Sequence, residues 1–203
     1  MISSGIFRRY EEIAGLADAA FRRLAERHAD LVRCIPQCAD CCHAVFGLFP
    51  VEAAYLRLHF DQLDRKVRRP AVRRARRARQ IMDRLQERWE MEGISGDLSD
   101  ERIPCPLLDE EKLCILYAHR PITCRVYGIP LRIQGKARVC WKSGFREGTS
   151  YEAFDVDRVQ QELYGLSRIL LEQGMPPEGV PRSADLLVSV AWVILENAGI
   201  SGS

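Results

Sequence analysis

Residues 34–49 read CIPQCADCCHAVFGLF, and residues 105–125 read CPLLDEEKLCILYAHRPITCR. Seven of the eight cysteines fall in these two stretches, and Cys140 follows the second. The first group, Cys34, Cys38, Cys41 and Cys42, has the spacing C-x3-C-x2-C-C. The second is Cys105, Cys114, Cys124 and Cys140. A metal needs thiolates that converge to within about 2.3 Å of it. Spacings of two or three residues let one loop deliver several ligands with little extra ordering. Ligands from a distant segment then close the site and tie the two segments together. Four thiolates suit zinc or an iron–sulfur cluster, because both favour soft sulfur donors. A lone cysteine is usually a small buried hydrophobe, but that explanation fits eight in two clusters badly. All eight are therefore candidate metal ligands. Neighbouring side chains diverge, so Cys41 and Cys42 are expected to serve two sites, or one lines a cluster while the other packs or stays free. The set makes two four-cysteine sites or one site with spare thiols, and the spacing leaves both open.

Outward from the cysteines the chain reads as helical. Residues 7–33 carry an apolar stripe of Ile13, Leu16, Ala17, Ala20, Leu24 and Leu31. Pro50 opens a second helix, PVEAAYLRLHFDQL, at the first-turn position proline tolerates. Pro70 opens a third, running to about Met91, with Ala71, Ala75, Ala78, Met82, Leu85 and Trp89 on its stripe. GISGDLSDERIP is a loop. GIPLRI–QGKA–RVCWK reads as two short strands around a glycine turn. Two helices are expected to follow, one from about Phe154 to Gln173. The other runs from about Ser183, as N-cap, to Asn197, with Gly199 as its stop.

The chain has 203 residues, 47% of them hydrophobic and 29% charged. That is the balance of a globular protein and suggests one domain over 1–203. Charges interrupt the N-terminal region, so no signal peptide is read there. LLVSVAWVIL, Leu186 to Leu195, is about half of the roughly 20 residues a spanning helix needs, and reads as a buried core helix. A cytoplasmic location is expected. Thiols there are kept reduced, which favours ligands over disulfides.

The net charge is only +2, yet Arg65 to Arg79 holds nine Lys or Arg residues and no acid. Such a helix offers a surface to an anionic partner, or simply a solvated face. No aromatics interleave with the arginines, so stacking on single-stranded bases is not supported. Arg120 and Arg125 flank Cys124 and are candidate cofactor-binding residues, offsetting the anionic charge of a thiolate site. The alternative for Arg120 is an ion pair with Asp109 or Glu110. Tyr117 reads as core packing. His43 and His119 lie beside the cysteines, but packing or surface roles suit them better when thiols are plentiful. No G-x-S-x-G, H-E-x-x-H or G-x-x-x-x-G-K-[ST] motif is present.

CADCCHAVFGLFPVEAAYL and CPLLDEEKLCILYAHRPITCRVYGIP resemble the YkgJ-type cysteine-cluster family of zinc- or iron-chelating domains. The most specific part is C-P-x-L…C-x-x-Y-x-x-R-P-x-x-C-R, here Cys105, Pro106, Leu108, Cys114, Tyr117, Arg120, Pro121, Cys124 and Arg125. Three residues separate Cys34 from Cys38, where the family typically has two. The resemblance implies metal binding. The related flagellin lysine methylases are thought to pair an iron–sulfur cluster with S-adenosylmethionine. No glycine-rich cofactor loop follows a strand here, so that activity is not carried over.

The expectation is an all-α, mostly helical chain with an irregular cysteine-rich metal-binding region and one short β-hairpin. It holds an iron–sulfur cluster in a redox, electron-transfer or cluster-dependent role. The alternative is a zinc-binding interaction protein that meets an anionic partner through its basic helix.

Overall fold

The computed structural model describes residues 4–96, 101–146, 148–174 and 180–196. Six α-helices frame the cysteine segments: α1 (Ser4–Arg27), α2 (Pro50–Gln62), α3 (Arg65–Glu92), α4 (Ile122–Val126), α5 (Val156–Glu172) and α6 (Val190–Leu195). α1 packs on α2, α4 and α5. α6 fills the space between α2 and α3.

α1 buries Tyr10, Ile13, Ala17 and Leu24, whose spacing puts them on one face. Leu16 departs from the expected stripe and is 65% exposed. The helix ends at Arg27, short of the expected 33, and a turn closed by Leu31 N–H to the His28 carbonyl redirects the chain toward Cys34. α2 begins at Pro50 as expected. Its buried Glu52 accepts from the Phe49 N–H at 3.3 Å and from the Ile122 N–H at 3.1 Å, so one carboxylate caps both α2 and α4.

α3 starts five residues before the expected Pro70, which lies inside it. The chain breaks at Leu63–Asp64, and the Asp64 carbonyl accepts from Val67 and Arg68, launching the helix there. Proline removes only one backbone bond near that end. Ala71, Ala75, Ala78 and Met82 are buried as their spacing requires, and Gly93 stops the helix in the left-handed region, φ 62°.

The hairpin pairs β1 (Leu131–Ile133) antiparallel with β2 (Lys136–Arg138). Gln134 and Gly135 both have positive φ, 51° and 70°, the signature of a two-residue turn whose twist matches the strands. Asp157 accepts both of their N–H groups. β3 (Phe154–Asp155), which the alternation did not foretell, runs parallel to β1 and leads directly into α5.

The expected helix from Ser183 is not formed. Leu48 and Val188 exchange backbone hydrogen bonds at 2.8 and 3.2 Å, which holds that segment extended. Leu186 and Leu187 are exposed. The helix begins only at Val190, capped by the Ser189 hydroxyl, and Gly199 lies outside the described residues. The buried guanidinium of Arg57 donates to the Val193 and Ile194 carbonyls at the end of α6. Among the described residues no helix is long and apolar enough to cross a membrane.

Candidate metal centre

Each cysteine segment is shaped by local turns. Cys38 N–H donates to the Ile35 carbonyl across Pro36–Gln37, with Gln37 at φ 67°. Proline followed by a positive-φ residue is the pattern of a type II turn, and it folds the longer Cys34–Cys38 spacing back on itself. Cys41–His43 forms a single 3-10 turn. In the second segment, Leu108 pairs with Cys114, and Ile115 N–H donates to the Leu107 carbonyl, so the loop returns Cys114 toward Cys105. α4 presents Cys124, and Cys140 follows β2.

The two segments are stitched by backbone. Cys105 N–H donates to the Cys42 carbonyl at 2.7 Å, Ile103 N–H to the His43 carbonyl at 3.0 Å, and Ala44 pairs with Arg102. All eight cysteines then line one cavity of about 500 Å³. Among the described residues no three His, Cys, Asp or Glu side chains stand close enough to hold a metal ion as placed. The thiols are spread around the wall rather than gathered on one point. Apolar side chains, including Phe46, Met82 and Leu107, line the same cavity.

The thiols sort into two neighbourhoods. Cys124 is pushed well above its ordinary value by burial and then by Cys41, Cys105 and Cys114. Burial, with Cys114 and Cys41 nearby, pushes Cys105 up to about 12. The mutual influence of the adjacent Cys41 and Cys42 thiols raises Cys42 and brings Cys41 down to about 7. At the cavity mouth, Cys34, Cys38 and Cys140 also border a small second recess with Arg33, Gly128 and Lys142. Cys34 is exposed as a residue, but its sulfur is tucked against Gly128, where a Cβ would meet it at 2.0 Å. Burial of that sulfur, with Cys38 and Cys140 beside it, pushes Cys34 up to about 11.

Asp40 was not singled out from sequence, yet it organises this mouth. Its carboxylate is 4% exposed and accepts from Arg102 (2.7 Å) and Trp141 Nε1 (3.2 Å). Lys142 lies at 3.5 Å, and the Cys140 thiol donates to it at 3.7 Å. An acid directly before Cys41–Cys42 was the only available signal.

Arg120 and Arg125 both line the cavity. Arg125 is buried and donates to Asp18, to the Ala118 carbonyl and to the Arg120 carbonyl. Arg120 pairs with the same Asp18 at 3.2 Å, not with Asp109 or Glu110, and lies 4.0 Å over the Tyr117 ring. Tyr117 is 66% exposed, which overturns its assignment to the core. Among the described residues none of the four histidines lines the cavity. His43 bonds to its own loop at the Ala39 carbonyl, and His119 stacks on His59 and bonds to the Tyr55 hydroxyl.

Eight soft donors, apolar walls and two guanidinium groups fit a thiolate-bound metal group. A cation there would offset the burial that raises Cys34, Cys105, Cys114, Cys124 and Cys140, and coordination ionises a thiol outright. The family model described as "Putative zinc- or iron-chelating domain", CxxCxxCC, matches residues 33–141, about half of the chain. No curated protein and no solved structure gives a significant match.

Proposed function

This chain belongs to the CxxCxxCC family of zinc- or iron-chelating domains and is a metal-binding protein, and on that premise we propose that it holds an iron–sulfur cluster for a redox, electron-transfer or cluster-dependent role. The observation that carries this reading is the spread of thiols around a cavity of about 500 Å³. A water's share of liquid volume is about 30 Å³, so the space equals roughly seventeen waters. A single zinc ion with four thiolates at about 2.3 Å leaves most of that volume unfilled. A polynuclear group uses the volume and reaches donors that one ion does not.

Cys41, Cys42, Cys105, Cys114 and Cys124 form the inner set, of which four suffice for a cluster. Cys34, Cys38 and Cys140 close the mouth beside Asp40. A bound cluster supplies one-electron chemistry. The protein's own groups set its surroundings: Arg120 and Arg125 counter its negative charge, and the apolar wall limits water, two levers known to tune reduction potential. Zinc on a subset of the thiols is the alternative.

Anaerobic purification followed by metal analysis and a visible spectrum on one sample tests the reading. Iron with a broad visible absorption that bleaches in air supports it. Colourless protein with stoichiometric zinc overturns it.

A further inference from the structure

The nine cations between Arg65 and Arg79 do not share one role. Arg68 pairs with Asp61, Arg79 with Asp83, and Arg74 Nε donates to the Pro106 carbonyl at 2.8 Å. The other six, Arg65, Lys66, Arg69, Arg73, Arg76 and Arg77, are exposed, and none forms an ion pair or side-chain hydrogen bond among the described residues. At 3.6 residues per turn these six fall within an arc of about 120° and extend about 18 Å along α3. The buried Ala71, Ala75, Ala78 and Met82 occupy the opposite side. The engaged cations lie at the flanks. What the sequence presents as a basic run is, in the folded chain, a single unneutralised stripe.

We propose that this stripe docks the sugar–phosphate backbone of double-stranded nucleic acid without reading its sequence. Five of the six groups are arginines, whose planar fork matches phosphate oxygens in pairs. Each strand of duplex DNA carries a phosphate about every 3.4 Å along the axis, so a row of six cations about 18 Å long, roughly one per 3 Å, meets a comparable density of anions on one strand. The arc contains no aromatic side chain for stacking on unpaired bases. It also contains no apolar side chain to enter a bilayer, because the helix turns its apolar face into the core. The exposed Val67 and Ile81 lie outside the arc. Arg74 fixes α3 to the residue after Cys105, which holds the stripe in a set position relative to the cysteine cavity. The inference does not depend on which metal the cavity holds.

The test is fluorescence anisotropy with a mixed-sequence DNA duplex of about 25 base pairs, using the purified full chain. Binding is expected at low salt, with a slope of log K against log salt near −5 if all six cations contact phosphate. Arg69→Glu, Arg73→Glu and Arg76→Glu together should weaken binding at least tenfold and roughly halve the slope. A charge-matched control, Arg8→Glu, Arg22→Glu and Lys136→Glu, should change affinity no more than about threefold. Should the triple glutamate variant misfold by circular dichroism, Arg69→Gln with Arg73→Gln replaces it, with a weakening of about threefold or more expected. The proposal is overturned by absence of duplex binding at low salt, by equal losses in stripe and control variants, or by binding to phosphatidylserine vesicles but not to duplex.

Discussion

The Cys105 N–H donates to the Cys42 carbonyl at 2.7 Å, joining the two cysteine segments through backbone alone. The neighbouring Ile103–His43 bond and the Ala44–Arg102 pair extend that seam. A metal bound by cysteines of both segments would add its own links across this seam and couple metal binding to stability.

Cys124→Ser should therefore lose metal and lose stability together, but only down to the level of the metal-free native chain. Thermal melting with and without a chelator checks this. The variant should match the chelated wild-type chain and respond little to chelator. Full metal retention with unchanged melting would contradict it.

Metal uptake should release protons and weaken steeply in acid. Burial and crowding hold Cys105 up to about 12 and Cys34 up to about 11, so each contributes a proton when it becomes a ligand near neutrality. Competition with a chelator across pH 6–8 should show apparent affinity falling by more than about tenfold per unit of acidification. A pH-independent affinity would mean that thiols are not the ligands.

Glu52 gives the fold a pH dependence of opposite sense to a salt-bridged carboxylate. Burial raises it from 4.5 to about 7 in the folded chain, and the Ile122 and Phe49 N–H groups only partly oppose that. Between about pH 4.5 and 7 the folded chain keeps this proton while the unfolded chain loses it. Its contribution is complete below about 4.5, declines as pH rises through 7, and is absent above, a change on the order of 3 kcal/mol. Denaturant titrations of the metal-free chain should show that decline in the wild type and a flatter profile in Glu52→Gln. Parallel profiles would refute it.

Asp40→Ala should cost about 1 kcal/mol, because it removes the shared acceptor of Arg102 and Trp141 Nε1, whose exposed side chains then turn to water. The Trp141 emission should change with it. Trp141 emission and a denaturation midpoint identical to wild type would show that Asp40 does not organise the cavity mouth.

Much of this was legible because its signals are local. Helical spacing located α1, α2, α3 and α5, and Gln134–Gly135 marked the hairpin. Eight cysteines in two clusters marked the metal centre. What was not legible depends on contacts between distant segments. The Leu48–Val188 pairing converts the start of an apolar run from helix to extended chain, and nothing within LLVSVAWVIL announces Leu48. The break at Leu63–Asp64 moved the start of α3, a boundary that Pro70 disguised. Asp18 claimed both arginines from a helix a hundred residues away.

Acid-labile sulfide, counted per chain on anaerobically purified protein, tests the central claim most directly. Zinc–thiolate and single-iron thiolate sites contain no inorganic sulfide, whereas a cluster does. Sulfide in near-equal ratio to iron is the expected result, and it should disappear in Cys124→Ser. Stoichiometric metal without sulfide would contradict the cluster and leave the cavity to zinc or to isolated iron.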